Sequence, residues 1–131
     1  MIDWTQSKHF SREELECKET KECNIDPVFL AKINTLREKW GRPITVSSGY
    51  RSVNHSVEKN KKNGGGAHTT GRAIDILIFG RDAYKLLKLI METQLFTGVG
   101  ISQKGLMSAR FIHIDDLEHS EKRPRPTLWS Y

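Results

Sequence analysis

The sequence has few cysteines, and this limits the part that disulfides or structural zinc can play. Only two of its 131 residues are cysteines, Cys17 and Cys23. A disulfide between them would close a short loop, but no signal peptide places the chain in an oxidising compartment, so we expect reduced thiols. A zinc knuckle would need two further ligands nearby, and His9 alone does not supply them.

Long apolar runs and a targeting signal are also missing. No segment approaches the roughly 18 apolar residues that a membrane span requires. The N-terminal stretch MIDWTQSKHF has no basic region followed by an apolar one, so it does not read as a secretory signal peptide. We therefore expect no membrane insertion. If the protein acts outside the cell that makes it, another factor must release it.

Composition and charge indicate one globular domain with an anionic partner. The length suits a single domain over residues 1–131 with one core. The net charge of +5 favours nucleic acid, acidic lipid or an anionic polymer such as a bacterial wall, with a generic solvated surface as the alternative. The densest basic stretch, EKNKKN at 58–63, has no interleaved aromatic residues. With no nucleic-acid motif either, we expect no nucleic-acid partner.

Three segments carry helix signals. SREEL at 11–15 contains a capping box of Ser11 and Glu14. The next helix starts at an Asp26 cap with Pro27 in its first turn, and it ends at Gly41. The third spans 81–93. The predicted buried positions of the second are Phe29, Ile33, Leu36 and Trp40, and those of the third are Ala83, Leu86, Leu87, Ile90 and Met91.

The remaining segments predict strands and connecting loops. Strands are expected within 43–52, 72–79, 97–102 and 109–117. Residues 53–67 predict a polar surface excursion, with or without a short helix. The tail, EKRPRPTLWSY, predicts an extended segment attached to the body by Trp129 or Tyr131. This order of elements indicates an α+β fold, with a small and mainly antiparallel sheet on which helices pack.

A polar constellation interrupts the apolar strands. Side chains alternate faces along a strand, so Asp75 and His113 each stand among apolar neighbours. A buried carboxylate is costly unless it is paired or bound to a metal, and His68 lies seven residues upstream of Asp75. His68, Asp75 and His113 would form a zinc shell that leaves a fourth position for water. The alternatives are ordinary hydrogen-bonded histidines, and pairing of Asp75 with Arg72 or Arg51.

Four strings resemble the M15 family of zinc peptidases in order and spacing, over roughly residues 9–131: SSGYRS (47–52), HTTGRAID (68–75), GVGI (98–101) and FIHID (111–115). That family includes D-alanyl-D-alanine carboxypeptidases and phage endolysins, and the start and end of the chain are most similar to its small phage-type members. The family motif is Ser-x-His-x-x-Gly-x-Ala-x-Asp followed later by a histidine. The resemblance implies that His68, Asp75 and His113 bind Zn²⁺ in a hedgehog or DD-peptidase type of fold.

The resemblance also implies a catalytic role for Arg51. The family's arginine at this position approaches the scissile carbonyl or the substrate carboxylate, where a guanidinium can stabilise a developing oxyanion. The alternative for Arg51 is a salt bridge with an acidic surface residue.

The sequence departs from the family at two positions. Gly66 replaces the usual serine, and Arg110 stands three residues before His113, where several members carry a general base. Asp115 shares a strand face with His113 and is our candidate base. The further candidates are Asp116, His119 and His55. Alternatively, Asp115 hydrogen-bonds a ligand histidine, or the base and the activity are lost.

The function implied by the resemblance is zinc-dependent hydrolysis of bacterial peptidoglycan peptides. The bond cut would be D-Ala-D-Ala, as in the carboxypeptidases, or L-Ala-D-Glu, as in some endolysins. A phage protein that stays in the host cytoplasm until the membrane opens, or that is packaged in a virion, fits the missing signal peptide. We expect a monomer without a separate wall-binding domain. The alternative is a zinc-containing module that binds wall peptide without cutting it.

Overall fold

The computed structural model describes residues 2–61 and 65–131. Within them lie three α-helices and one five-stranded sheet, so the predicted α+β fold is confirmed. The helices are α1 (Arg12–Leu15), α2 (Pro27–Trp40) and α3 (Gly80–Thr93). The strands are β1 (Thr45–Ser48), β2 (Ala73–Leu77), β3 (Gly98–Ser102), β4 (Phe111–Asp115) and β5 (Thr127–Ser130). Short 3-10 turns occur at Trp4–Gln6, Ala67–Thr70 and Met107–Ala109.

The helix ends follow their predicted caps. Both hydrogen bonds of the Ser11–Glu14 capping box are present at the start of α1. At the start of α2, the Asp26 carboxylate accepts a 2.9 Å hydrogen bond from the Phe29 N–H. Gly41 ends α2 in a left-handed conformation with φ of 74°, which glycine adopts without strain. Local sequence therefore sets the start of α1 and both ends of α2.

The sheet has the strand order β1-β2-β4-β3-β5. Its first four strands pair antiparallel, whereas β5 pairs parallel to β3 at the edge. The tail was predicted to be extended and attached to the body, and its contact through Trp129 is present, since the Trp129 ring lies 5.1 Å from the His113 ring. The prediction missed that the tail forms a fifth strand.

One face of the sheet packs on the helices and forms the core. The core joins four sheet isoleucines to the inner faces of α2 and α3: Ile74, Ile76, Ile112 and Ile114 with Phe29, Ile33, Leu36, Leu86 and Ile90. Met91 was predicted to be buried, but this was wrong, because Met91 is 55% exposed. At 3.6 residues per turn, Met91 lies about 90° from the middle of the buried stripe of α3. The opposite sheet face holds the polar constellation.

The predicted excursion at 53–67 consists of turns in its described parts. Residues 53–60 form successive turns, and the 3-10 turn Ala67–Thr70 ends the segment. Positions 62–64 of this prediction lie outside the described residues. Both cysteines are free thiols, with Cys17 buried. No helix in the described ranges is long and apolar enough to cross a bilayer.

Candidate metal centre

The strand register places the polar residues in one row across the sheet. Asp75 on β2 lies opposite His113 on β4, and Ser48 on β1 lies opposite Asp75 from the other side. The row continues from His113 to Gly100 on β3 and then to Trp129 on β5. Directly opposed residues share a face, so Asp75 and His113 meet on the face away from the helices. Pairing of β2 with β4 brings together groups 38 residues apart in sequence.

His68 approaches this row from the 3-10 turn Ala67–Thr70. Its Nδ1 lies 2.9 Å from the Gly49 carbonyl oxygen, which can only accept, so Nδ1–H donates. Its Nε2 then presents a lone pair 3.3 Å from Oδ1 of Asp75. The Arg51 N–H donates to the His68 carbonyl at 3.1 Å and ties the turn to the chain leaving β1. The turn therefore folds His68 over Asp75, as the spacing predicted.

His113 is oriented in the same way by a partner on its far side. Its Nε2 lies 2.8 Å from Oδ2 of Asp115, and an ionised carboxylate only accepts, so Nε2–H donates. Its Nδ1 faces Oδ1 of Asp75 at 3.0 Å. Ligand atoms of His68, Asp75 and His113 all lie within 4.8 Å of one another, and all three residues are buried. The sequence-predicted set is therefore assembled in space.

The electrostatics of this cluster favour a bound positive charge. Burial raises the pKa of Asp75, but the facing His113 and His68 rings, which donate to it and carry charge when protonated, outweigh burial and hold that pKa well below its usual range. Burial lowers the pKa of His113, but Asp115 and Asp75 outweigh burial and raise it. Two imidazole nitrogens and a carboxylate oxygen that point at one another attract a cation or a proton. This donor set fits zinc, with three protein ligands as in catalytic sites.

Asp75 was also considered as an ion-pair partner of Arg72 or Arg51, but the structure pairs both arginines with other carboxylates. Arg72 instead makes ion pairs with Asp116 and Glu118, each at 2.8 Å. Arg51 pairs with Glu58 at 3.0 Å. Arg51 thus makes a salt bridge, but with a buried carboxylate rather than a surface one. Among the described residues, the ion-pair partners of Asp75 are the two histidines alone.

Asp115 is fully buried and held on both oxygens. Arg125 donates to Oδ1 from Nε at 2.8 Å and to Oδ2 from Nη2 at 2.7 Å, while His113 also donates to Oδ2. Burial raises the pKa of Asp115, but His113 and Arg125 outweigh burial and hold it well below its usual range. A carboxylate with both oxygens engaged is a poor proton acceptor. The geometry therefore favours the role of orienting His113 over that of general base.

The other candidates for a base have partners of their own. Asp116 pairs with Arg72 and Lys32, and the His55 Nε2 lies 3.2 Å from a Glu19 oxygen. The remaining two groups contact backbone: His119 accepts from the Arg125 N–H, and Arg110 donates to the Gly105 carbonyl. None of these contacts is with a member of the His68, Asp75 and His113 cluster.

Sequence reasoning missed that Arg125 and Trp129 build the outer wall of the site. Both side chains lie over glycines of β3: a Cβ at Gly98 would lie 2.6 Å from Arg125 Nε, and one at Gly100 would lie 2.6 Å from the Trp129 ring. The Arg125 guanidinium also lies 5.1 Å from the Trp129 ring centroid. Two glycines at alternate positions of one strand mark a close approach on one face, and this signal was present in GVG at 98–100.

Fold and site together define a class, an α+β protein with a buried His-Asp-His centre suited to a divalent metal on its open sheet face. A family model described as Peptidase M15 matches residues 8–115, which is most of the chain. The chain therefore belongs to the peptidase M15 family, and the resemblance in the sequence is confirmed. Membership implies a metallopeptidase with a peptide substrate. No curated protein and no solved structure matches the chain.

Proposed function

We propose that the protein is a zinc-dependent peptidase that hydrolyses peptide bonds of bacterial peptidoglycan, as a D-Ala-D-Ala carboxypeptidase or an L-Ala-D-Glu endopeptidase. The observation that carries the proposal is the convergence of His68 Nε2, Asp75 Oδ1 and His113 Nδ1 on one buried point of the sheet. Family membership supplies the peptidase class, and the donor set supports zinc as the metal.

The residues around the cluster prepare it for that metal. Zinc, when bound, supplies Lewis acidity toward a peptide carbonyl and toward water. The Gly49 carbonyl and the Asp115 carboxylate each hold one imidazole in the tautomer that aims a lone pair at Asp75. The Trp129 ring lies beside His113 and shields it from water on the β5 side. Ligand orientation is thus set by the chain before any metal binds.

Arg51 is the proposed stabiliser of the oxyanion. Its Nε donates to Ser48 Oγ and its Nη1 to Glu58, and Ser48 is the register neighbour of Asp75. Among the described residues, Arg51 Nη2 has no protein partner and remains able to donate to a substrate oxygen. A guanidinium fixed in advance stabilises negative charge as it develops, without reorganising during the reaction.

The proposed setting is phage lysis of a bacterial host. The net charge of +5 supports approach to an anionic wall. We propose that the protein acts as a monomer, and that it stays in the host cytoplasm until it is released to the wall or is carried by a virion. Nucleic acid and membrane lipid are not proposed as partners.

A second candidate function is a zinc-containing module that binds wall peptide without cutting it. One specific observation favours it: Arg110 occupies the family's base position and donates to the Gly105 carbonyl, while Asp115 has both oxygens engaged. Neither group is free to accept a proton from an attacking water. Binding and cleavage therefore need to be measured separately.

The deciding experiment measures bound zinc and peptide release from purified peptidoglycan for the same preparation. Wild-type protein is compared with chelator-treated protein, with His113→Ala, and with His9→Ala as a matched histidine control whose ring contacts Glu38 instead. We expect one zinc per chain in wild type and His9→Ala, and loss of zinc and release together in His113→Ala. Mass spectrometry of the products would identify the bond.

The outcomes separate the two candidates. Release that depends on the metal and on His113 supports the peptidase. Stoichiometric zinc without release from walls of several chemotypes would overturn it in favour of the binding module. Release that survives the chelator and His113→Ala would remove the zinc centre from the reaction altogether.

A further inference from the structure

Glu58 is a buried carboxylate inside a segment that the sequence marks as polar surface. Glu58 is only 1% exposed, although it lies within the turns of 53–60. A carboxylate removed from water is costly unless donors replace the lost hydration. The neighbouring lysines and asparagines give no hint of this burial. Its contacts therefore need a structural reason.

Three donors surround the Glu58 carboxylate. The Gly66 N–H donates to Oε1 at 2.7 Å, and Arg51 Nη1 donates to Oε2 at 3.0 Å. The Lys61 ammonium lies 3.1 Å from the same carboxylate. Glu58 thus joins Arg51 to the backbone two residues before His68.

The Arg51 side chain is held from two directions. Its Nε donates to Ser48 Oγ at 3.0 Å, which anchors it to the strand position opposite Asp75. Glu58 holds Nη1 from the other side. A free arginine side chain samples many rotamers, and two acceptors at fixed positions select one. The selected rotamer holds the guanidinium between the end of β1 and the segment that leads into His68.

The glycine at position 66 contributes its backbone to this arrangement, since its N–H donates to Glu58 Oε1. A Cβ there would lie 2.8 Å from Lys61 Nζ and 3.4 Å from Glu58 Oε1. The closer atom is the end of a flexible lysine side chain, so a serine here would require only that end to shift. Gly66 therefore joins the Glu58 contacts through its backbone N–H.

We propose that Glu58 is a positioning residue that fixes the Arg51 guanidinium beside the metal centre. The inference rests on the proposed peptidase function and on the role of Arg51 in it. Glu58 acts through Arg51, because a carboxylate buried behind three donors does not touch a substrate. Without Glu58, Arg51 keeps its charge but loses its position.

The test is a double-mutant cycle on full-length, zinc-loaded protein with a wall-derived peptide. Glu58→Gln keeps the shape and removes the charge, and we expect kcat to fall by about 10- to 100-fold with little change in KM. Arg51→Ala should lower kcat by at least the same factor. The double variant should be no worse than Arg51→Ala alone, because both changes remove the same contribution. Glu13→Gln, on the exposed side of α1, is the matched control.

A readout that does not depend on activity separates this proposal from the proposed function. The NMR signal of the Arg51 Nη–H protons, identified by its absence in Arg51→Ala, should exchange slowly with water in wild type and Glu13→Gln, and fast in Glu58→Gln, because Nη1 is the nitrogen that Glu58 holds. Zinc content should stay at one per chain in all of them. If wild type releases no peptide, the peptidase fails, while this signal still decides whether Glu58 fixes Arg51.

Two results would overturn the proposal: an unchanged Arg51 signal in Glu58→Gln, or losses in kcat that add fully in the double variant. Glu58→Asp guards against a folding failure of Glu58→Gln. It keeps the charge but shortens the reach by one methylene, and the same non-additivity with Arg51→Ala is expected.

Discussion

Arg125 and Asp115 form a buried ion pair across β3, with Nε to Oδ1 at 2.8 Å and Nη2 to Oδ2 at 2.7 Å. The same Asp115 accepts the Nε2–H of His113. Arg125, which lies beyond the last antiparallel strand, therefore helps to orient the proposed zinc ligand His113 two strands away. The pair links the C-terminal strand to the chemistry of the site.

Arg125→Met is the first test of this link. The change leaves the Asp115 carboxylate buried and short of partners, so we expect the free energy of unfolding to fall by about 3–5 kcal/mol. Since Asp115 orients His113, zinc affinity should fall by about 10- to 100-fold. Urea denaturation and zinc competition titrations measure the two effects. Arg81→Met, at an exposed position of α3, should stay within about 0.5 kcal/mol of wild type. Equal stability of both variants would contradict the assigned role of the pair.

Gly100→Ala tests the contact between Trp129 and His113. The new Cβ would lie 2.6 Å from the Trp129 ring, so the ring must move. We expect a loss of about 1–3 kcal/mol in unfolding free energy and a red shift of tryptophan fluorescence. In a Trp129→Ala background the same glycine change should cost much less, since the ring is gone. A cost that is identical in both backgrounds would show that the strain arises elsewhere.

Much of the fold could be predicted because its determinants are local. Asp26 and Gly41 bound α2 through a cap and a left-handed glycine, which short stretches of sequence encode. Strand β5 was missed because prolines mask its start, and because an extended tail segment does not reveal from its sequence alone whether it pairs with a strand. Met91 was misplaced because it sits at the edge of the apolar stripe of α3, where periodicity alone does not decide burial.

The candidate site also has residues that the sequence predicted and residues that it did not. Spacing and strand parity singled out His68, Asp75 and His113 as one possible cluster, and the family resemblance implied their role as ligands. Pairing of β2 with β4 brings Asp75 and His113 together, and His68 joins them. Arg125 and Glu58 were missed, because each lies in a basic or polar segment and is buried only by contacts that form in the folded chain. Such contacts leave little periodic signal. The alternating glycines of β3 were the one local sign that side chains cross there.

The exposure of Met91 on α3 leads to a direct prediction about stability. Leu86 is fully buried in the core, whereas Met91, five residues on, is 55% exposed. We expect Leu86→Ala to lower the unfolding free energy by about 2–5 kcal/mol and Met91→Ala to change it by about 0.5 kcal/mol or less. Both variants trim a large apolar side chain on one helix, so helix propensity is matched. Comparable costs in urea denaturation would place Met91 in the core after all.

The buried Glu58 carboxylate predicts a defined dependence of stability on pH. Burial raises its pKa, but hydrogen bonds from the Gly66 N–H, Arg51 and Lys61 outweigh burial and lower it from 4.5 to about 2. A carboxyl whose pKa is lower in the folded state stabilises the fold when ionised. Its contribution, up to about 3 kcal/mol, is therefore complete above pH 4.5 and is lost as the pH falls toward 2.

Glu58→Gln isolates this contribution from the other acidic groups. Wild type should exceed the variant in unfolding free energy at pH 6, and the gap should close between pH 4.5 and 2, because only the wild-type side chain titrates there. Urea denaturation at half-unit pH steps measures the gap. Glu13→Gln should follow wild type throughout, since its side chain is exposed on α1. A gap that stays constant down to pH 2 would mean that Glu58 stabilises the fold by shape and packing, and that its charge does not hold Arg51.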